Sequence, residues 1–207
     1  MDYEEWKPIY EEIIKDFGYS KEKDLESARL LGELRGSDGL EVLKIISGYT
    51  VEVLGPLAEG SDEKVTMIAG ASISKLEDID VENSFLVTDL DGNTEYQLKK
   101  NLEGLPALIH AHGDNIGLIK KWSPKFTGQV ISTCQCRPPE GVYNFGGFTD
   151  GDRCVFLADH FDAKKIVLNG WDFENPASKF RNKKIKKKKL VWAQKLIDMV
   201  DTPIYFK

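Results

Sequence analysis

Long apolar runs are missing from this chain. Nothing in it approaches the ~20 consecutive apolar residues that a membrane-spanning helix requires, and the first residues, Met1-Asp2-Tyr3-Glu4-Glu5-Trp6, are acidic where a signal peptide would be basic and then apolar. The expectation is a cytoplasmic protein with no membrane partner. Cysteine is scarce. Cys134, Cys136 and Cys154 are too few for a disulfide framework, and Cys134-Gln135-Cys136 has the wrong spacing for a zinc knuckle or a redox pair, so they are expected to be reduced and structural. Two phosphate-binding signatures are also absent. Without G-x-G-x-x-G after a first strand no dinucleotide is implied, and without G-x-x-x-x-G-K-[ST] a P-loop kinase is excluded.

What is present is charge, unevenly placed. The net charge is −6, yet residues 179–189 (Lys-Phe-Arg-Asn-Lys-Lys-Ile-Lys-Lys-Lys-Lys) hold eight basic side chains and no acidic one, leaving 34 acidic against 20 basic residues elsewhere. An acidic body argues against nucleic acid as a partner, because that affinity rests on broad phosphate neutralisation. The basic run is then either a solvated helix start or a local clamp for a polyphosphate.

At 207 residues the size prior favours one domain, with room for an appendage. Residues 2–47 read as helical: Trp6, Ile9, Tyr10, Ile13, Ile14 and Phe17 recur at helical spacing, and Leu25, Ala28, Leu31 and Leu34 continue after a Gly18-Tyr19-Ser20 break. From Thr50 the texture changes to short apolar runs, giving expected strands at Thr50–Leu54, Val65–Ala69, Ser84–Thr88, Leu108–His110, Gln129–Thr133 and Lys165–Leu168. Helices are expected at Ser72–Ile79, Glu95–Leu102, Asn115–Trp122 and about Lys186–Val200. Alternating strands and helices predict an α/β, parallel, doubly wound Rossmann-like sheet. The expected division is an N-terminal helical subdomain over 1–48 and a catalytic α/β domain over 49–207 ending in a basic helix.

The most informative stretch is Phe85-Leu86-Val87-Thr88-Asp89-Leu90-Asp91-Gly92-Asn93. An apolar strand that ends on two carboxylates one residue apart delivers charge to the edge where open α/β sheets bind ligands. Asp89 and Asp91 suit Mg²⁺, which takes one or two carboxylates and completes its shell with water and phosphate; the plainer reading is a strand followed by an Asp-Gly turn. A second polar strand end is His110-Ala111-His112-Gly113-Asp114-Asn115, whose alternating histidines share one side of an extended chain. It suits a zinc site, a phosphate or magnesium role, or a helix cap from Asp114 or Asn115. In the third, Gly146-Gly147-Phe148-Thr149-Asp150-Gly151-Asp152-Arg153, glycines let a ligand approach the backbone, while two carboxylates and a guanidinium stand ready for metal, base or anion. Gly55 closes the first strand at the position of a nucleotide-binding turn.

Taken in order, Val87–Asn93, His110–Asn115, Phe145–Arg153 and Lys189-Leu190-Val191-Trp192-Ala193 make the chain resemble the archaeal 6-hydroxymethyl-7,8-dihydropterin pyrophosphokinases over about residues 50–200. That family in turn looks like a relative of thiamin pyrophosphokinases, whose catalytic domain is a parallel α/β sheet with aspartates at strand ends. One departure stands out: where an acidic residue is expected after the second strand, this chain has Ile68-Ala69-Gly70-Ala71-Ser72. The resemblance implies transfer of pyrophosphate from ATP to the pterin hydroxymethyl oxygen, with Mg²⁺ as cofactor and AMP as the second product. It implies Asp89 and Asp91 as magnesium ligands, and Asp150 and Asp152 at a second metal contact or the pterin amino edge. Arg153 and the lysines Lys183–Lys189, Lys186 and Lys189 among them, would meet the phosphates. His110, His112, Asp114 and Asn115 would bind nucleotide or support the metal, with Asp114 or Asp150 as any general base, and Gly55, Gly146, Gly147 and Thr149 as further substrate contacts. A homo-oligomer is compatible with the sequence. Two rivals remain: a haloacid-dehalogenase-type phosphatase with Asp89 as nucleophile and Asp91 as acid, although two strands precede the motif here, and a nonenzymatic nucleotide or metal sensor.

Overall fold

The structure, a computed structural model, describes residues 1–76, 78–174 and 183–207. Seven parallel strands form one sheet: β1 (Thr50–Leu54), β2 (Val65–Ala69), β3 (Ser84–Thr88), β4 (Ala107–Ala111), β5 (Val130–Cys134), β6 (Lys165–Asn169) and β7 (Ile204–Phe206), in the spatial order β5-β4-β3-β2-β1-β6-β7. The helices are α1 (Tyr3–Phe17), α2 (Lys21–Leu34), α3 (Thr94–Leu102), α4 (Ile116–Trp122), α5 (Asp150–His160) and α6 (Lys183–Ile197). The sheet is covered on both faces, as the near-continuous apolar strands require. Side chains alternate between two cores: Val53, Met67, Phe85, Val87 and Leu108 go to one with α5, while Leu54, Ile68, Leu86, Ile109 and Val130 go to the other with α1 and α2.

The N-terminal helices follow directly from their caps and stripes. Asp2 and Glu5 form a reciprocal capping box on α1, Gly18 ends it at φ 70°, and Trp6, Tyr10, Ile13 and Ile14 are buried along one face. Those side chains belong to the same core as the sheet residues Leu54, Leu86 and Val130. Trp6 Nε1 donates to the carbonyl of Gln135 just beyond β5 at 2.8 Å, so α1 lies across the carboxyl edge of the sheet. α6 docks on α1 through Lys188–Asp16 and Lys195–Glu12 ion pairs and the Trp192 indole bond to Asp16.

Three sequence expectations need correction. Residues 2–47 are not helical throughout: α2 stops at Leu34, and only a 3-10 turn over Glu41–Ile46 follows. Ser72–Ile79 is not an α-helix but a 3-10 turn, Gly70–Lys75, after which Leu76 is extended, with Glu77 outside the described residues. Gly70 opens that turn at φ 49°, a conformation an ordinary helix start does not use. The edge strand β7 was absent from the expectation altogether. In the basic run, Lys179 to Asn182 lie outside the described residues.

Candidate active site

Beyond β3 the chain is pinned by side chains. Thr88 Oγ1 accepts from the Leu90 amide at 3.0 Å and donates to Gln97 Oε1 at 2.9 Å, Gln97 Nε2 donates to the Gly92 carbonyl at 2.7 Å, and Thr94 Oγ1 donates to the Leu90 carbonyl at 2.8 Å. Together they hold Leu90 at φ 68°, a left-handed conformation uncommon for a branched apolar residue, with its side chain only 1% exposed. Turning Leu90 into the core leaves Asp89 and Asp91 to the cleft. The Asp91 amide donates to Asp89 Oδ1 at 3.2 Å, which draws the two carboxylates together.

The neighbouring strand supplies the histidines. His112 Nδ1 accepts from the Asp114 amide at 3.3 Å, so its proton sits on Nε2, which faces Asp89 Oδ2 at 3.4 Å. Asn115 braces the two strand ends: its Nδ2 donates to the carbonyls of Asp89 (2.9 Å) and His110 (2.7 Å), and its Oδ1 accepts from the His112 amide and from Ser27 of α2. It is therefore buried framework within the site. Asp24 of α2, also buried, accepts from the Gly113 amide (2.7 Å), Tyr10 (2.7 Å) and Gln135 (2.8 Å), tying both N-terminal helices to the loop that carries His112.

The third group comes from the first turn of α5. Asp150 pairs with Arg153, whose Nη1 reaches its Oδ1 at 3.1 Å, and Arg153 Nη2 donates to the Phe148 carbonyl at 2.7 Å. Asp150 Oδ2 occupies the space a Cβ would need at Gly70. The segment after β2, which lacks the expected acidic residue, thus admits the Asp150 carboxylate through the missing side chain of Gly70. Asp152 turns away: with Thr149 it forms the capping box of α5, accepting the Thr149 amide at 3.0 Å, the Thr149 hydroxyl at 2.6 Å and the Phe148 amide. Gly146 and Gly147, at φ 83° and 87°, let the loop lie against Phe156 and the Arg153 backbone, where a Cβ would meet them at 2.6 and 2.7 Å.

Electrostatics binds these pieces into one cluster. Burial opposes ionisation of Asp89, but hydrogen bonds from His112 and Asp91 and the charge of Arg153 outweigh it, holding Asp89 below the usual carboxylate range. Asp91 is pushed up to about 6 by desolvation in the cleft and by the charge on Asp89. Asp150 lies well above the usual range, through burial first and the Asp89 charge second, with Arg153 opposing. Lys189 projects from α6 into the same field; burial and then Arg153 lower its pKa, while Asp89 and Asp150 raise it. Lys186 acts on both Lys189 and Asp150.

The structure therefore brings together Asp89, Asp91, Asp150, Arg153, His110, His112, Lys186 and Lys189. Asn115, Thr149, Asp152, Gly146 and Gly147 shape the frame. Asp114 is exposed on the rim, where its charge acts on Tyr19, and Gly55 packs against the Gly170 carbonyl and under Trp171, whose ring also covers Gly151 beside Asp150. Asp24, Thr88 and Gln97 escaped the sequence reading. Asp24 left one signal: with Ala28 and Leu31 it occupies positions i, i+4 and i+7 on the buried stripe of α2, where a carboxylate has to find partners.

Comparison with known proteins agrees in extent. A family profile described as 6-hydroxymethylpterin diphosphokinase MptE-like matches residues 54–177. A Methanocaldococcus jannaschii protein named 6-hydroxymethyl-7,8-dihydropterin pyrophosphokinase is 34% identical over 99% of this chain and 98% of its own length. Proteins of the same name from Pyrococcus furiosus and Methanothermobacter thermautotrophicus are 36% and 35% identical, covering 95% and 97% of the chain and 89% and 96% of their own lengths. The chain belongs to the MptE-like 6-hydroxymethylpterin diphosphokinase family.

Proposed function

We propose that the protein transfers pyrophosphate from ATP to 6-hydroxymethyl-7,8-dihydropterin in a Mg²⁺-dependent reaction, giving AMP and the pterin diphosphate for folate or tetrahydromethanopterin biosynthesis. The observation that carries this reading is the cluster itself: burial first and the charge of Asp89 second raise both Asp91 and Asp150, beside the cations Arg153 and Lys189. A site so arranged is suited to a divalent cation and a polyphosphate together.

Among the described residues no group of three or more His, Cys, Asp or Glu side chains could hold a metal ion unaided. That fits Mg²⁺, which is held by one or two carboxylates with water and substrate phosphate supplying the rest. Asp89 and Asp91 would hold it, and once bound it supplies charge neutralisation for the phosphates and for the oxygen bridging the α and β positions. Lys189 and Lys186 bind and orient the polyphosphate. The pterin hydroxymethyl oxygen attacks the β-phosphorus, a new O–P bond forms, the bond to the bridging oxygen breaks, and its electron pair leaves with AMP. The hydroxyl proton passes to the Asp150 carboxylate, which Arg153 holds at 3.1 Å. Because phosphoryl-type transition states are loose, alignment contributes more than base strength. Family membership and the names of the three relatives support the same reaction over phosphatase chemistry at Asp89.

Incubation with ATP, Mg²⁺ and the dihydropterin should release AMP and pterin diphosphate in equal amounts, resolved by chromatography. Release of inorganic phosphate with a phosphorylated Asp89, or AMP formation independent of pterin, would overturn the proposal.

A further inference from the structure

Behind the Asp150–Arg153 pair lies a cavity of about 20 Å³, walled by Val87, Leu108, Phe145 and Leu157 and reached by His110 and Arg153. Both polar residues are more than nine-tenths buried, at 1% and 6% exposure, and in each one ring or guanidinium nitrogen, His110 Nε2 and Arg153 Nε, has no hydrogen-bond partner among the described residues. Buried polar atoms left unpaired are costly, so each calls for an occupant.

The chemistry of the occupant can be worked out atom by atom. With the Thr133 hydroxyl donating to the Ile109 carbonyl at 3.2 Å, its oxygen accepts from His110 Nδ1 at 3.0 Å, and in that tautomer Nδ1 carries the ring proton. His110 Nε2 is then an acceptor. Burial first and the Arg153 charge second hold the ring's pKa well below its usual value, with Asp89 and Gln135 opposing. Arg153 has committed Nη1 to Asp150 and Nη2 to Phe148, leaving Nε–H as a donor. The cavity thus offers one donor and one acceptor between apolar walls. A cation would oppose Arg153, and a simple anion would oppose the lone pair of His110. Only a group that both accepts and donates satisfies both.

We propose that this cavity reads the N–H/C=O lactam edge of the pterin, the ring carbonyl accepting from Arg153 Nε and the ring N–H donating to His110 Nε2. The inference rests on the proposed reaction and deepens it by assigning the acceptor substrate's specificity. At about 20 Å³ the cavity has room for a single water between the same two partners. The pterin edge would take the place of that water bond for bond. A water whose bonds are reproduced by the ligand is displaced without loss of affinity.

The test is discrimination against the 2,4-diamino analogue of the dihydropterin, in which an amino group replaces the carbonyl and the adjacent ring nitrogen loses its hydrogen. Both partners are then mismatched, so the wild-type protein should prefer the lactam by about 100-fold in kcat/KM. His110→Leu should reduce the preference to within about tenfold, and His110→Gln, which restores an acceptor, should recover part of it. If the wild type makes AMP with the dihydropterin but His110→Leu keeps its full preference, the edge assignment fails while the reaction stands. If the variant instead changes the preference for ATP over inosine triphosphate, the cavity reads the nucleobase and the proposal is overturned. Should His110→Leu not fold, the wild-type His110 Nε2 ¹⁵N resonance decides: it should shift on adding the dihydropterin without nucleotide, and an unmoved resonance overturns the proposal.

Discussion

A carboxylate whose pKa is raised by its neighbours costs the free protein stability when it ionises, and Asp91 is the clearest case here. Its folded-state value of about 6 lies above the ~3.9 of an unfolded chain, so the group contributes stability below pH ~4 that is lost as the pH rises through 6. Asp91→Asn should therefore abolish most pyrophosphoryl transfer while leaving Tm at pH 8 unchanged or higher by on the order of 1–2 °C, since solvent screens an exposed carboxylate. Kinetics and thermal unfolding on one preparation check both, and near-normal turnover at saturating Mg²⁺ would remove Asp91 from the metal site. Ionisation also governs ligand binding. Mg²⁺ with a nonhydrolysable nucleotide should raise Tm more at pH 8 than at pH 5, because below about 6 the ion competes with a proton for Asp91; equal shifts at the two pH values would sink that assignment. At this scale the sequence disclosed the carboxylates, since two acids one residue apart after an apolar run are conspicuous. It did not disclose Leu90. A left-handed leucine depends on Thr88, Thr94 and Gln97 meeting around it, and that convergence exists only once α3 has folded back on β3.

Among the secondary elements, α6 separates two uses of lysine. Lys188 pairs with Asp16 and lies 4.6 Å over the Phe17 ring, so it fastens α6 to α1, whereas Lys189 lies over Phe148 and within the field of Asp89 and Asp150. Lys189→Gln should raise the KM for ATP about tenfold or lower kcat, while Lys188→Gln should leave both within about twofold and lower only Tm. Steady-state kinetics on the two single variants decides; equal effects would mean that the basic run acts by net charge alone. That division was not legible in a run of four identical residues, because which face meets the cleft depends on how the helix docks. The strands were legible for the opposite reason. β1, β2 and β3 are buried on both faces, so each reads as a short, mostly apolar run, interrupted in β1 by the buried Glu52 and in β2 by Thr66, and their ends fall where the pattern places them. β7 escaped notice because it is three residues long, half exposed and on the sheet edge, where burial writes little into the sequence. The 3-10 turn after β2 was overread as a helix because its apolar spacing is helical, while the requirement that Gly70 admit Asp150 is a tertiary fact.

Across the whole molecule, the N-terminal helices and the sheet share one core and one polar network, and Asp24 is where the two meet. Its carboxylate holds Tyr10 of α1, Gln135 beyond β5 and the Gly113 amide in the loop that aims His112 at Asp89. Residues 1–48 bury Trp6, Tyr10, Ile13 and Leu31 against the sheet, so the segment 49–207 expressed alone should not fold, having lost one wall of its core. A sharper experiment keeps the core and breaks the network. Asp24→Asn leaves an oxygen for Gly113 but cannot accept from both Tyr10 and Gln135 at its second position. One unpaired buried partner should lower stability by about 1–3 kcal/mol, or Tm by roughly 2–10 °C in a chain of this size. If the network also sets the loop, kcat should fall several-fold at temperatures well below the new Tm. The KM for ATP should stay near its original value, because the lysines of α6 are not part of this network. Restoring Tm with a stabilising osmolyte should not restore kcat. A variant that loses stability yet keeps its kcat would show that Asp24 supports the core alone and that the aim of His112 is fixed by Asn115 without help from the N-terminal helices.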